Sequence, residues 1–206
     1  LTADEPFTSV LIISNLEWFG YRLTWRKSRP TGFLDANRKP LDDSEDIAIF
    51  YQSQTTYNQQ MHKGNPNHVI NGKVSSTKRT EIYSHYEQAA GVHTTEKYPR
   101  RVIDIESLDP ARKTLHPNEK PVPLFSYLIR TYSNPGDLVL DNAAGSCTTA
   151  IAAIETGRNW LCIEKESKYV EIGRERVRER MSQPFLPGLV EAAKSEPIQL
   201  ELPDGP

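Results

Sequence analysis

The sequence predicts an α/β fold in which helices cover a parallel sheet. Helical and extended segments alternate through the second half of the chain, a pattern typical of parallel sheets. Two short apolar strands in that half each lead to an acidic residue, Asp141 and Glu164. A turn with a single glycine, Gly145, separates the first of these strands from the next helix. The 206 residues suffice for one domain with a sizeable core, or for one domain with an insertion.

Hydrophobic spacing and turn residues define the elements of the second half. Leu124 lies on the apolar face of one helix, whereas Val177 and Met181 are expected to face inward from the last helix. Gly157 is expected to stop a helix, since glycine readily adopts the left-handed conformation at a helix end. The predicted elements are an ordered segment at 101–105, a helix at 121–132, a strand at 138–140, a helix at 148–156, a strand at 160–163 and a helix at 167–181.

The first 51 residues predict a helix and two strands. Acidic residues before an apolar run favour a helix at 4–15, and alternating aromatic residues favour a strand at 18–25. The apolar run 47–51 is expected to be a buried strand. Residues 26–46 are polar and contain glycine and prolines, so they are expected to form an exposed loop, with the acidic cluster 42–46 as a solvated turn.

Two segments differ from the rest in composition. Residues 52–100 are rich in polar side chains and have almost no aliphatic clusters, which predicts an inserted recognition region. Residues 182–206 contain five prolines and are expected to be a mobile tail. Composition and the pattern of elements therefore divide the chain into segments 1–51, 52–100, 101–181 and 182–206.

Charge and cysteine content limit the possible functions. The formal net charge is -2, which excludes a uniformly basic coat but permits a local basic face. The two cysteines form no CxxC pair, so neither a zinc site nor a disulfide framework is predicted. Without an apolar run of transmembrane length, we expect a cytoplasmic protein with no membrane partner.

Basic residues concentrate in two stretches of the chain. Residues 22–39 hold six Lys or Arg against one acid, and residues 52–80 hold four against none. Such stretches, interleaved with Asn, Gln, Tyr and His, suit contacts with phosphates and base edges, although a merely solvated loop has the same composition. The candidate DNA-binding residues are Arg26, Lys27, Arg29, Arg38, Lys39, Lys63 and Arg100.

The segment 138–164 carries the strongest motif. A strand ends at Asp141, Gly145 allows close backbone approach, and the following helix offers unpaired N–H groups at its start. An acid at the end of the next strand, here Glu164, can reach ribose hydroxyls in nucleotide-binding α/β folds. The lone glycine is not a dinucleotide fingerprint, which favours a cosubstrate without a pyrophosphate. An ordinary strand–helix–strand unit would explain the same spacing.

This segment resembles the first motif of DNA amino-methyltransferases, Asp-x-(Phe)-x-Gly-Ser-Gly-(Thr)-Thr. Residues 115–122, LHPNEKPV, resemble the His-Pro-(Thr)-(Gln)-Lys-Pro box of that family, and the segments EPF, WRK and TGF within 5–51 are also similar to it. The resemblance covers roughly residues 4–180. It implies a Rossmann-like S-adenosylmethionine-dependent methyltransferase fold with an incomplete sheet and an inserted irregular DNA-recognition region. It also implies the permuted class, in which the catalytic half precedes the cosubstrate half. Residues 1–51 would then be the second part of the catalytic subdomain, 52–100 the inserted target-recognition region and 101–181 the S-adenosylmethionine-binding subdomain, followed by the tail at 182–206.

The resemblance assigns a cosubstrate site for S-adenosylmethionine. Asp141, Gly145 and Ser146 would line the cosubstrate, Glu164 would accept its ribose hydroxyls, and Lys120 would close over the methionine end. His116 is expected to be structural, and no metal is implied. Two departures change the pocket wall. Cys147 stands where the family has its second glycine, and residues 142–144 lack the usual aromatic side chain.

The catalytic motif of the family is absent from the sequence. These enzymes hold the amino group of a flipped base with Asp/Asn/Ser-Pro-Pro-aromatic, and residues 65–67, 109–111 and 134–136 only approach that pattern. In the family the motif would precede Leu1, so no catalytic residue is assigned. The leading interpretation is a fragment of a complete enzyme. A chain that needs a partner for the motif and a degenerate homologue are the alternatives.

The resemblance therefore implies site-specific methylation of DNA at an exocyclic amino group, with adenine N6 preferred over cytosine N4. The alternative is a catalytically silent DNA-binding homologue or subunit. A small-molecule or RNA methyltransferase is a third hypothesis, which the basic insertion disfavours. The expected partners are double-stranded DNA and either a second copy of the chain or a separate chain with the missing motif.

Overall fold

The chain divides into two compact units in the computed structural model. The structure describes residues 2–65, 95–109, 111–112 and 114–183. One unit comprises Leu1–Asn58 together with Arg100–Pro206, and the other comprises Gln59–Pro99. Most of the expected recognition region and nearly all of the expected tail lie outside the described residues.

The first unit contains a four-stranded sheet. Its elements are β1 Thr2–Ala3, helix α1 Phe7–Ser14, β2 Phe19–Thr31, β3 Asp42–Phe50 and β6 Val102–Asp104. The intervening strands, β4 His62–Lys63 and β5 Glu96–Lys97, belong to the second unit. The strands lie in the order β1-β3-β2-β6. The strands β1 and β3 pair antiparallel, as do β2 and β3, whereas β6 pairs parallel with β2. This sheet is therefore mixed, with one parallel pair.

The predicted loop at 26–46 is too long at both ends. Strand β2 continues to Thr31, and β3 already begins at Asp42, which pairs with Thr31. The acidic cluster expected to be a solvated turn lies in β3, where its side chains face basic residues of β2. Asp46 pairs with Arg22 at 3.1 Å, and Glu45 lies 3.4 Å from Lys27. Opposite charges across an antiparallel pair stabilise the ladder, so these polar residues form strands.

The remaining elements of this unit agree closely with the sequence-based predictions. They are helix α2 Val122–Tyr132, β7 Leu138–Asp141, helix α3 Thr148–Thr156, β8 Asn159–Cys162 and helix α4 Ser167–Ser182. The short strands β7 and β8 pair in parallel, and Asp141 stands opposite Cys162 at their carboxyl ends. The helix between them ends at Gly157, whose φ of +72° confirms the left-handed stop.

Helix α2 connects the hydrophobic clusters beneath the two sheets. Leu124 is fully buried with side chains of β2, β3 and β6, including Trp25 and Ile47. Further along the helix, Ile129 packs against the small residues Ala152 and Ala153 of α3. Alanine at both positions allows the two helix backbones to approach closely. The four-stranded sheet and the β7–β8 pair are thus joined through one helix.

Some apolar side chains are exposed in the described structure. In α1 they include Phe7, Val10 and Ile13, and in β7 they are Leu138 and Leu140, which alternate with a half-buried valine. The expectation that Met181 of α4 faces inward is wrong, because its side chain lies near the end of the helix and is exposed. Val177, one turn earlier, is buried as predicted.

The second unit contains a short antiparallel pair among its described residues. Strand β4, His62–Lys63, pairs with β5, Glu96–Lys97. The backbone N–H of Gly64 donates to the carbonyl of Thr95 at 2.7 Å, which extends the pairing by one step.

Candidate cosubstrate site

The turn between β7 and α3, residues 141–147, is held by the acid at the end of β7. One carboxylate oxygen of Asp141 accepts a hydrogen bond from the backbone N–H of Ala143 at 3.0 Å. The other accepts a hydrogen bond from the hydroxyl of Thr149, a buried residue of α3. Asp141 therefore fixes both the start of the turn and its distance from the helix.

Glu164 binds the same turn from the neighbouring strand. Its Oε2 accepts the N–H of Gly145 at 2.8 Å, and its Oε1 accepts the N–H of Glu166 at 2.9 Å. Hydrogen bonds from the N–H groups of Glu166, Gly145 and Lys165 hold the pKa of Glu164 below its usual value, and His116 lowers it further. The two acids predicted to face one ligand thus lie at the same turn. Each accepts a hydrogen bond from a backbone N–H of the turn, and Asp141 also accepts one from Thr149 of α3.

Gly145 makes the predicted close approach, but the group it approaches is His116. The φ of Gly145 is +53°, and a Cβ at this position would lie 3.3 Å from the imidazole ring. The ring of His116 also packs edge-on against Tyr169, with 4.3 Å between centroids. His116 therefore packs between the turn and Tyr169 of α4.

Ser146 is buried and accepts hydrogen bonds from Arg176, a residue that sequence reasoning did not assign to the site. Its hydroxyl lies 3.1 Å from Nη1 of Arg176, and its carbonyl lies 3.0 Å from the same atom. That guanidinium also reaches the hydroxyl of Thr148 at 3.1 Å and the carboxylate of Glu119 at 3.1 Å. Arg176 lies in a helix rich in alternating charges, so its sequence context resembled a solvated face and carried no signal for this role.

Cys147 adopts a backbone conformation that favours glycine. Its φ is +57°, and it is the one non-glycine residue with positive φ in the part of the chain that the structure describes. This explains physically why a glycine suits the position. The thiol packs where a side chain at Gly173 of α4 would lie. A hydrogen bond with the Cys162 thiol lowers the pKa of Cys147 and raises that of Cys162.

Lys120 points to the four-stranded sheet. Its ammonium group pairs with Glu45 at 2.6 Å, and the same carboxylate lies 3.4 Å from Lys27. Burial and the charge of Glu45 raise the pKa of the nearby Asp4. The structure therefore brings Asp141, Gly145, Ser146 and Glu164 together at the turn. Lys120, at the end of the 115–120 segment, pairs with Glu45 of β3.

The candidate DNA-binding residues fall into two groups. Arg26 is bonded to Asp104 at 2.6 Å, and Lys27 is 9% exposed between Glu45 and Asp42, so both are engaged by acids of their own sheet. Arg38 is largely exposed beside Asp35. The other candidates with exposed side chains are Arg29, Lys39, Arg100 and, in the second unit, Lys63.

Neither a metal-ligand cluster nor a membrane-spanning helix occurs in the described part of the chain. Within 2–65, 95–109, 111–112 and 114–183, no three His, Cys, Asp or Glu side chains are grouped so that they could hold a metal ion. Within the same ranges, every helix is too short or too polar to cross a membrane.

The fold and the turn can be compared with known proteins. Residues 7–175 match the family model described as DNA methylase, N6_N4_Mtase. This chain belongs to the N6_N4 DNA methylase family. The match covers most of the chain, including three strands of the four-stranded sheet (β2, β3 and β6), the turn and the start of α4. This accords with a Rossmann-like methyltransferase fold whose sheet is incomplete.

Three individual proteins illustrate the family membership of this chain. DNA adenine methyltransferase YhdJ of Escherichia coli (strain K12) is 47% identical over 62 residues, which are 30% of this chain and 21% of that protein. The crystal structure of an M1.HpyAVI–SAM complex has a TM-score of 0.55 and 21% identity, covering 88% of this chain and 72% of that one. The cytosine-N4-specific PvuII DNA methyltransferase has a TM-score of 0.55 at 15% identity, covering 93% and 63%. The sequence match thus spans about a fifth of the curated relative.

Proposed function

We propose that this DNA methylase family member binds S-adenosylmethionine at the 141–147 turn and takes part in methylating an exocyclic amino group of DNA. One observation carries the proposal. Asp141 and Glu164, at the carboxyl ends of two neighbouring parallel strands, bond to the same turn at the start of α3. Ligands of open α/β sheets bind beyond these strand ends.

The local chemistry supports a sulfonium nucleoside as the ligand. The two carboxylates supply hydrogen-bond acceptors for ribose hydroxyls or for the α-ammonium group of the methionine moiety, and negative charge near the sulfonium. The backbone of the turn is fixed by hydrogen bonds within the chain, so little ordering is needed on binding. The M1.HpyAVI structure of similar fold was solved with SAM.

Calorimetric titration with S-adenosylmethionine tests this site. We expect Asp141→Ala and Glu164→Ala each to weaken binding by at least about tenfold, since each removes a charged partner worth on the order of 1.5–3 kcal/mol. Glu171→Ala, which removes an exposed acid from α4, is the matched control and should leave the affinity unchanged. Unchanged affinity in both pocket variants would contradict the assignment.

We also propose that exposed basic residues of the first unit contact DNA phosphates. Arg38 and Lys39 lie in the connection between β2 and β3, and Arg29 lies near the end of β2. Lys27 is the weakest candidate because its ammonium group would first have to leave Glu45 and Asp42.

The salt dependence of DNA binding tests these contacts. Replacing Arg38 and Lys39 by alanine should lower the slope of log affinity against log salt by roughly 0.9 for each phosphate that the variant no longer neutralises. The control removes the same charge from α4, through Arg174→Ala and Arg178→Ala, two arginines in exposed i,i+3 pairs. Equal slopes for both double variants would show that the β2–β3 connection is only solvated.

For the reaction we favour adenine N6 over cytosine N4. The support is the adenine methyltransferase YhdJ, which is 47% identical over its matched segment of 62 residues. The enzyme would act on a flipped base in the cytoplasm, with the Pro-Pro motif supplied by further sequence or a partner chain. Mass spectrometry of nucleosides after incubation with labelled cosubstrate and duplex DNA distinguishes the methylated bases. DNA binding without transfer, even with the motif supplied, would instead indicate a silent DNA-binding homologue.

A further inference from the structure

A buried ion pair, formed by residues not predicted to line the pocket, joins the 115–120 segment, helix α4 and the start of α3. Glu119 lies in the 115–120 segment and has a side chain 1% exposed, and Arg176 in α4 has a side chain 14% exposed. Oε1 of Glu119 lies 3.1 Å from Nη1 of Arg176 and 3.0 Å from Nη2 of Arg112. A carboxylate so fully removed from water is retained only when it is paired and hydrogen-bonded.

Each partner of the pair fixes a different part of the backbone. Oε2 of Glu119 accepts the N–H of Leu115 at 3.0 Å, which closes the 115–120 segment on itself. Nη1 of Arg176 lies within 3.1 Å of the Ser146 carbonyl, the Ser146 hydroxyl and the Thr148 hydroxyl. These three oxygen atoms belong to the end of the turn and the start of α3. The ion pair is therefore the polar link between the segment and the helix start.

The charges of this group favour the ionised pair. Burial lowers the pKa of Arg176, but the adjacent Glu119 raises it again, and arginine stays protonated throughout the accessible pH range. The two N–H protons on Nη1 are shared among four acceptor atoms, so the position of the guanidinium is determined from several directions.

We propose that Glu119 and Arg176 are positioning residues, whose ion pair holds the 115–120 segment against the start of α3 and so keeps the S-adenosylmethionine site preformed. This inference rests on the proposed function of the 141–147 turn. Neither side chain needs to touch the cosubstrate. The ligand affinity falls when the pair is broken, because the binding energy must then order the segment and the turn.

The test combines cosubstrate titration with amide hydrogen exchange on the whole chain. The variants are Glu119→Gln, which keeps an acceptor for Leu115, and Arg176→Met, which keeps the length of the side chain. Arg174→Met removes an exposed arginine of the same helix as the matched control. Leu124→Ala is the control for lost global stability, since Leu124 is buried away from the pair.

We expect both test variants to bind S-adenosylmethionine on the order of tenfold more weakly than the parent chain. They should also exchange the amides of 115–120 faster, while both controls keep the parent affinity. The double variant should lose no more affinity than either single variant, since residues acting as one unit are non-additive. Arg176→Lys, which restores the charge, should recover part of the affinity that Arg176→Met loses.

Three outcomes would overturn the positioning role. Exchange of 115–120 that matches Arg174→Met shows that the pair does not hold the segment, whether or not a ligand binds. Faster exchange with unchanged affinity shows that the segment is irrelevant to binding. An equal loss of affinity in Leu124→Ala shows a general stability effect. Failure of the parent chain to bind the cosubstrate would instead refute the proposed function, and the positioning role with it.

Discussion

The carboxylate of Glu164 should stabilise the fold in a way that depends on pH. It accepts two backbone N–H groups at 2.8 and 2.9 Å, and these hydrogen bonds favour its charged form. Glu164→Gln keeps one oxygen acceptor but turns an amide N–H₂ group towards the second N–H. One charge-assisted hydrogen bond is lost, worth about 1.5–3 kcal/mol. Because the side chain is partly exposed, we expect the lower end, about 1.5–2 kcal/mol.

The pKa of Glu164 in the folded chain lies below its ordinary value of 4.5, which fixes the sign of the pH effect. The stabilisation is fully present above that ordinary value and is lost as the pH falls through the folded pKa. A protonated carboxyl, like the amide of glutamine, offers one carbonyl acceptor beside a donor group. The difference in stability between the parent chain and Glu164→Gln should therefore be largest near neutral pH and vanish in acid.

Urea unfolding followed by circular dichroism, measured from neutral to acidic pH, checks this prediction. In a thermal melt, the same loss of about 1.5–2 kcal/mol would lower the Tm by roughly 3–8 °C for a chain of this size. Glu171→Gln on the exposed side of α4 controls for the general effect of removing one negative charge. A difference between parent and variant that stays constant down to acidic pH would refute the charge-based account of Glu164.

Three further predictions concern packing and exposed surface. Leu124→Ala should lower the free energy of unfolding by about 3 kcal/mol, because it opens a cavity in a fully buried position; a urea midpoint close to that of the parent would contradict this. Gly145→Ala should cost about 1–2 kcal/mol, since φ is +53° and the new methyl group would lie 3.3 Å from the His116 ring, and a thermal melt with unchanged Tm would show that the turn relaxes freely. Leu138→Thr with Leu140→Thr should reduce fluorescence of the dye ANS without loss of secondary structure, because both leucines are exposed on β7; equal dye fluorescence would place the exposed apolar surface elsewhere.

Local signals predicted the second half of the fold well. The helix at 148–156 and its stop at Gly157 follow from small residues and a glycine, and the structure confirms both bounds. The prediction of a loop at 26–46 was wrong at both ends because charged residues there form ion pairs with residues on the neighbouring strand. The ion pairs of Asp46 with Arg22 and of Glu45 with Lys27 join residues that are far apart in sequence, so hydrophobic periodicity could not indicate them.

Some residues of the candidate site could likewise be predicted from the sequence, and others could not. The turn with Asp141 and Gly145 could be predicted because strand, turn and helix are contiguous in the sequence. Arg176 and Glu119 could not, since charged residues in an amphipathic helix and a polar loop are usually solvated, and only the tertiary fold buries them. The resemblance assigns Lys120 to the cosubstrate, and that role stays a prediction. Its ion pair with Glu45 of β3 could not be read from the sequence, because the two residues are 75 positions apart.

The packing of Cys147 against Gly173 restricts the order in which these positions can change. A methyl group added at Gly173 would overlap the Cys147 thiol, so Gly173→Ala is unfavourable while the cysteine is present. Cys147→Gly removes the thiol and also suits the positive φ of that position. Gly173→Ala is therefore tolerated only after Cys147→Gly, whereas Cys147→Gly does not depend on a change at position 173. The effect of a substitution at Gly173 thus depends on which residue is at position 147.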